Sequence, residues 1–501
     1  MNQKHLSAEY FKNKSAALAG NEVFLVFAAV FSCLVLRLFF LPLQSFSVDE
    51  AALLYIASFP AGEIRQAMHG CMEAHPPGYF LLAHFLSLFS HNGIWLRFSS
   101  VVFSCISVYA LFKAVKEFSG SLGAAFMSAM LLAVSPFDCI EASEFRMYSL
   151  LELFFLLSMI YCLRLAACRF GDSGLLRNSL ILLLIDSAGA CVHFLFSFAV
   201  LAQIVVFLME AFKRRSIRDF SVFCLPLLGF VLLFFAFFPF GGSQDMSIRE
   251  KPDLWHLFMA FSFLSGGSGI VPGYLMGIAD PWLDIRVFVG IAGFISSAYA
   301  AVRFFDRLYA PFIFLICFAA PVFLLSFLDA VRIFEFKYFI CVLPFFIFII
   351  SVFISGLRFK RAACGILISL FLASSVSFIC LPCFRTADWK EAAAVISSRV
   401  SAGESVIVCP AMASLALRHY IGRDIAFVPV NSVSDAAVPE GNGFWICSMP
   451  FHPLCMRQDL PFCLENQFVK KEEWRMRAYS PSDEILIIKF AFPQPSVSSS
   501  P

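Results

Sequence analysis

The chain has 501 residues, of which 60% are hydrophobic and only 14% charged, with 64 phenylalanines and a mean hydropathy of +0.82. A soluble globular protein carries about a quarter of its residues as charges, so this composition excludes one and indicates a polytopic membrane protein. A formal net charge of +2 carries no message about nucleic acid.

The first 21 residues, with Lys4, Lys12 and Lys14, form a cytoplasmic N-terminal segment. The apolar run from Val23 lacks a small-residue cleavage site after a short core, which predicts a retained first helix rather than a signal peptide. At about 1.5 Å per residue, crossings are expected near 22–43, 97–115, 121–137, 148–166, 179–194, 195–212, 220–240, 284–302, 309–328, 338–356 and 362–381. That makes about eleven transmembrane helices. Among the 17 cysteines, Cys33, Cys105, Cys162, Cys317, Cys341 and Cys364 fall inside these spans and act there as small hydrophobes.

Between the crossings the charges alternate. Lys113/Lys116, Arg164/Arg169/Arg177, Lys213/Arg214/Arg215/Arg218, Arg303/Arg307 and Arg358/Lys360/Arg361 make one set of connections basic. Asp49/Glu50/Glu63/Glu73, Asp138/Glu141/Glu144, Asp245/Glu250/Asp253 and Asp329/Glu335 make the other set acidic. The positive-inside rule places the N-terminus inside and the acidic loops outside, and an odd number of spans leaves the C-terminal region outside.

The first outer loop, 44–96, opens on Asp49-Glu50 and returns at His75-Pro76-Pro77. Gly78–Ser90 is apolar but too short to cross, and reads as an interfacial or partly inserted helix. Within the outer loop 241–283, Trp255–Leu283 is interrupted by Gly266-Gly267, Gly269, Pro272-Gly273 and Pro281, which predicts a lid-like segment over the membrane surface. The membrane domain is expected over 22–384. A small α/β domain follows over 385–492, with helices at Asp388–Val400 and Ala411–Ile421 and strands at Ser405–Cys409, Ile425–Val430, Gly443–Cys447 and Glu484–Phe490. The Pro/Ser tail, 493–501, is expected to be disordered.

In this register Asp49, Glu50, His75, Arg97, Glu141, Glu144, Arg146, Tyr148, His193, Arg332 and Lys337 all lie on the outer side. An acidic pair at a membrane boundary is costly to bury, so it is wet or functional. Carboxylates and cations at one interface suit transfer from a phosphate-linked donor: a carboxylate takes the acceptor proton, and cations bind the leaving phosphate. Each group also has a plain structural reading. Asp49-Glu50 suits a solvated helix end, Pro76-Pro77 a helix start, and Arg146 and Arg332 suit loop salt bridges to Glu144 and Glu335.

The order Asp49-Glu50, His75-Pro76-Pro77-x-Tyr79, Glu144-x-Arg146-Met147-Tyr148 resembles the bacterial branch of the dolichyl-phosphate-mannose protein mannosyltransferase family. That branch lies within the GT-C superfamily, which includes the aminoarabinose and galacturonic acid transferases of lipid A. His193-Phe194, Lys337-Tyr338 with Leu343-Pro344, and Asp388-Trp389 with Ala392 are similar to later motifs of the same family, so the likeness covers roughly 22–430. The resemblance implies an all-α polytopic GT-C membrane protein with a small extracytoplasmic α/β domain, in the bacterial plasma membrane. The implied activity is transfer of a monosaccharide from a polyprenyl-phosphate donor to a lipid, glycan or protein acceptor, with inversion. Asp49 matches the family's catalytic base, with Glu50 beside it. His75, Arg97, Glu144, Arg146, Tyr148, His193, Arg332 and Lys337 are the candidate donor phosphate and sugar contacts. No metal or other cofactor is expected.

Two departures stand out. Lys337 replaces the commoner Arg, which removes a bidentate fork, and the residues before Glu144 differ from the usual Tyr-Ser-Gln. The alternative reading is a transporter or flippase for a lipid-linked glycan, for which Asp186 is the mid-span acid and no internal repeat is evident.

Overall fold

A computed structural model describes residues 3–71, 73, 75–168, 172–214, 227, 231, 251–270, 283–380, 387–401, 403–421, 425–430, 444–449, 469–476 and 485–491, with residues 3–20 described by backbone alone. The expected span at 220–240, stretches of the 241–283 loop and the 493–501 tail lie outside the described residues. The chain divides into two compact units, residues 1–41, 72–82 and 94–378 forming one, and 42–71, 83–93 and 379–501 the other.

The first unit is helical. Its elements are α1 (Gln3–Phe40), α5 (Gly93–Ser119), α6 (Leu122–Ala133), α7 (Pro136–Ala142), α8 (Tyr148–Ala167), α9 (Gly174–Val192), α10 (Ser197–Arg214), α11 (Leu254–Leu264), α12 (Ile285–Arg303), α13 (Phe305–Phe327), α14 (Leu343–Ser355) and α15 (Lys360–Cys380). Single 3₁₀ segments at Phe194–Phe196 and Phe336–Val342 precede α10 and α14.

Among the described residues, nine helices are long and apolar enough to span a membrane, and the bent pair α6–α7 makes a tenth. This is an integral multi-pass membrane protein. The window Phe336–Ser355 is 89% buried against 22% for Asn21–Phe40 and 17% for Lys360–Phe378, so the former is central while α1 and α15 present faces to lipid. The expected crossing at 121–137 is broken by 53°. Pro136 causes the break: it opens α7, and Ser135 before it is extended (φ −67, ψ 123), as a residue preceding proline must be.

The 254–264 part of the expected lid is a regular helix. Asp253 accepts the His256 N–H, and Met259, Phe261 and Leu264 are buried where α11 packs on α12. The helix-breaking glycines begin only at Gly266, whose φ of +85 ends it.

The second unit contains α2 (Val48–Ala57), α3 (Ile64–Gly70) and the later residues of α4 (Gly78–Ser87), the helix expected at Gly78–Ser90. It continues with α16 (Trp389–Arg399), β1 (Ser405–Cys409), α17 (Ala413–Tyr420), β2 (Ala426–Pro429), β3 (Phe444–Ser448), β4 (Val469–Met476) and β5 (Ile485–Ala491). The strand order is β2-β1-β3-β5-β4, with β1 parallel to β2 and β3, and β5 antiparallel to β3 and β4. Ile407, Cys409, Phe444, Ile446, Leu486, Ile488 and Phe490 make its core, alternating along three strands as one sheet face requires.

The sequence reading lacks β4, because Lys470, Lys471, Glu472, Glu473 and Arg475 hide its apolar alternation. It is an edge strand, so charge is tolerated there. At the opposite edge β2 ends in Pro429. α17 packs on α2, helped by His419 stacked on Phe46 at 4.4 Å and 12°, and by the Phe46 N–H donating to the Tyr420 hydroxyl at 2.6 Å.

Candidate functional site

Five of the sequence-predicted residues come together in the helical unit. His193 ends α9 and caps the 3₁₀ turn after it, its Nδ1 accepting the Leu195 N–H at 3.1 Å. That fixes the ring with its other nitrogen turned away from the turn. The His75 ring lies 4.4 Å from it and stacks on Phe194 at 5.6 Å and 10°. The His75 Nε2 is 3.6 Å from Glu73.

Close backbone approach makes this possible. A Cβ on Gly78 would fall 2.4 Å from the Cys191 carbonyl oxygen, and one on Gly189 would fall 2.5 Å from the Phe196 ring. Glycine is therefore required where the His-Pro-Pro-Gly step meets the end of α9. The Pro77 carbonyl accepts the Leu81 N–H at 3.0 Å, starting α4 immediately after this contact.

Tyr148, at the first position of α8, faces this imidazole pair at 6.3 Å from His193 and 6.0 Å from Tyr338. Tyr338 in turn is 5.5 Å from His193. Two cations lie over the Tyr148 ring, the Lys337 ammonium at 5.5 Å and the Arg146 guanidinium at 5.9 Å. Arg146 is 4% exposed, His193 0% and Tyr148 1%, so this guanidinium and imidazole sit in a low-dielectric setting where charge stabilisation is strong, while Lys337 is half-buried. Glu141, buried in the last turn of α7, lies within electrostatic reach of Glu144, Lys337 and Arg146. Two positive side chains, two imidazoles and two phenols are the functional groups that a phosphate-linked sugar calls for.

Asp49 and Glu50 lie in the first turn of α2, in the second unit. They are not equivalent. Glu50 is fully buried and completes a capping box: its Oε2 accepts the Ser47 N–H at 2.9 Å, and the Ser47 Oγ accepts the Glu50 N–H at 3.2 Å. The Ser-x-x-Glu spacing is legible in the sequence but is outweighed there by the acidic pair. Asp49 is half-buried, and this leaves it as the stronger candidate base of the two.

The other predicted residues make contacts of their own. Arg97, 3% exposed, donates to the Leu41 carbonyl at 3.3 Å. The Glu144 carbonyl accepts the Ser100 hydroxyl at 2.7 Å. Arg332 pairs with Asp329 at 2.6 Å, and its guanidinium holds that carboxyl below the usual carboxylate range.

Sequence reasoning missed a buried polar cluster around Arg37 and Asp138, and the partners of Asp186, whose Oδ1 accepts from Gln203 at 2.8 Å while Gln203 also donates to Ser158. A lone Arg in an apolar run is the signal that marks the first cluster. Among the described residues no group of three or more His, Cys, Asp or Glu is arranged to hold a metal ion. Sequence reasoning also finds no Cys-x-x-Cys spacing, yet Cys380-Leu381-Pro382-Cys383 is one, and its Cys383 lies outside the described residues.

No family model and no curated protein sequence matches the chain. Solved structures do. The chain is similar to ArnT from Cupriavidus metallidurans bound to undecaprenyl phosphate, at 12% identity and a TM-score of 0.52, covering 95% of this chain and 99% of that one. It is also similar to the same protein in the apo state, at 13% identity and a TM-score of 0.55, covering 95% and 100%. The chain therefore shares the fold of that protein over nearly its whole length.

Proposed function

We propose that the protein is a membrane glycosyltransferase that moves a monosaccharide from a polyprenyl-phosphate donor to a lipid, glycan or protein acceptor. The reaction is placed at the extracytoplasmic face of a bacterial plasma membrane, with the α/β domain on the same side. The observation that carries this reading is the group of buried His75, His193, Arg146, Tyr148 and Tyr338 with half-buried Lys337, in a chain that shares the fold of ArnT. Undecaprenyl phosphate in the similar ArnT structure is consistent with a lipid phosphate as the ligand of this group.

In this reaction an acceptor hydroxyl oxygen bonds to the anomeric carbon as the bond from that carbon to the phosphate oxygen breaks. The hydroxyl proton passes to Asp49, and the electron pair leaves with the polyprenyl phosphate. Arg146, Lys337 and the imidazoles stabilise that developing negative charge. Attack opposite the leaving group inverts the anomeric centre. The transport reading is weakened because Asp186, its mid-span acid, is tied to Gln203 as a packing contact.

The test is a transfer assay in liposomes with a panel of polyprenyl-phosphate sugars, comparing wild type with Asp49→Asn and repeating each reaction in a divalent-metal chelator. Donor consumption by wild type, unaffected by chelator, and none by a normally folded Asp49→Asn supports the proposal. Turnover that needs an added divalent ion would overturn the metal-free mechanism. Absence of both turnover and binding with every donor would overturn the transferase reading itself.

A further inference from the structure

The break between α6 and α7 interrupts the helical hydrogen-bond ladder inside an apolar bundle, where unsatisfied backbone is costly. The Leu132 carbonyl accepts the Ser135 N–H at 3.2 Å and the Val134 carbonyl accepts the Ser375 hydroxyl at 2.7 Å, and a buried guanidinium adds further donors to this turn. Arg37, 0% exposed near the end of α1, donates through Nη2 to the Leu132 carbonyl at 3.1 Å and through Nη1 to the Ala133 carbonyl. The same guanidinium reaches across the break to the first turn of α7, where Nη2 donates to Asp138 Oδ2 at 2.6 Å. Its Nε donates to the Ser104 hydroxyl at 2.9 Å, and Ser104 donates to Asp138 at 2.8 Å.

Ser104 has a counterpart one turn away on α5, where Ser100 donates to the Glu144 carbonyl at 2.7 Å. Residues four apart lie on one helix face. A single face of α5 therefore grips both ends of the 138–144 segment, which leads two residues later to Arg146 and four later to Tyr148.

We infer that Arg37, Asp138 and Ser104 form a latch whose role is to position Arg146 and Tyr148, so that Arg37 and Asp138 are positioning residues for the proposed transfer. A buried ion pair is poor evidence for stability, since an apolar pair of similar volume often replaces it without loss. A guanidinium spread over two carbonyls and a carboxylate fixes the angle of one helix to the next in a way an apolar contact does not. Fixing that angle matters because an error of about 1 Å in a reacting group costs on the order of 100-fold in rate.

The inference rests on the proposed transferase reading, and one experiment separates the two. Full-length Arg37→Met, Asp138→Leu and the double variant are compared in thermal stability, in donor kcat/KM and in hydrogen exchange of amides 143–148. Each single variant strands a buried charge or carbonyls and is expected to melt earlier. The double variant is expected to recover most of the melting temperature, yet lose about 10-fold or more in kcat/KM and exchange faster at 143–148. A double variant with wild-type kcat/KM and wild-type exchange would reduce the latch to a packing contact and overturn the inference. A wild type that neither turns over nor binds any donor defeats the transferase reading, and the exchange arm still decides the latch. If the double variant does not accumulate, Ser104→Ala removes only the bridging hydroxyl. Unchanged exchange at 143–148 in that variant overturns the inference equally.

Discussion

Gly78→Ala tests whether the imidazole pair depends on the backbone contact beneath it. The added Cβ would sit 2.4 Å from the Cys191 carbonyl oxygen and 2.8 Å from its carbon, whereas ordinary contact begins at 3.4 Å. The obstructing atoms are backbone, so no side chain can swing aside, and the two segments must part by about 1 Å. His75 lies three residues before Gly78, and His193 two residues after Cys191. That displacement therefore passes into their 4.4 Å ring separation. Overpacking of this kind costs about 1–3 kcal/mol in stability, and a displacement of about 1 Å costs on the order of 100-fold in rate. Donor turnover and melting temperature in detergent are the readouts. Gly123→Ala, with nothing within 4 Å of its Cβ, serves as the neutral control in the same unit. Full turnover and an unchanged melting temperature in Gly78→Ala would show that the close approach is not needed to hold His75 against His193.

Two further outcomes follow from the second unit. Ser47→Ala removes the hydroxyl half of the α2 capping box and is expected to cost about 1 kcal/mol, whereas Asp49→Asn is expected to leave stability unchanged. Denaturation of both variants checks this, and equal destabilisation would mean that Asp49 is structural. At Glu404, burial pushes the carboxyl up, but the Ser401 N–H, the Trp445 indole N–H at 2.8 Å and Lys489 at 3.0 Å outweigh it and hold it below the usual range. A lowered folded value means the ionised form stabilises the fold above the unfolded carboxylate value of about 4.3, and that gain fades as pH falls through the folded value. Glu404→Gln should therefore lose stability near neutrality and match wild type in strong acid. Hydrogen exchange of the β1 and β3 amides across pH measures it, and a gap independent of pH refutes the assignment.

The membrane spans were legible because about 20 consecutive apolar residues have few other uses, and the C-terminal strands because Val, Ile and Phe alternate there. β4 was not, since an edge strand needs an apolar residue only where it meets the core and its other positions carry charge. The imidazole cluster was legible as residue types in chain order, but its assembly was not. His75 and His193 meet through Gly78 and Cys191, a contact between segments more than a hundred residues apart. Glu50 shows the opposite failure, because an acidic pair drew attention from the Ser47 spacing that explains one member of it. Arg37 is legible as a lone charge in an apolar run, whereas Asp138 reads in sequence as part of an acidic outer loop and is in fact fully buried. Their pairing depends on the bend at Pro136, which periodicity cannot place.

The borders of the C-terminal sheet bear on how the protein behaves at high density in its membrane. A five-stranded sheet has two open sides whose backbone groups could recruit a strand from a neighbouring copy. One side carries Lys470, Lys471, Glu472, Glu473 and Arg475 with a register shift between Lys470 and Glu472, and the other terminates in Pro429, which has no N–H to offer. Neither side is a good template for a foreign strand. Crowded copies should thus stay separate at these margins, and self-association through the sheet would require losing those charges or that proline.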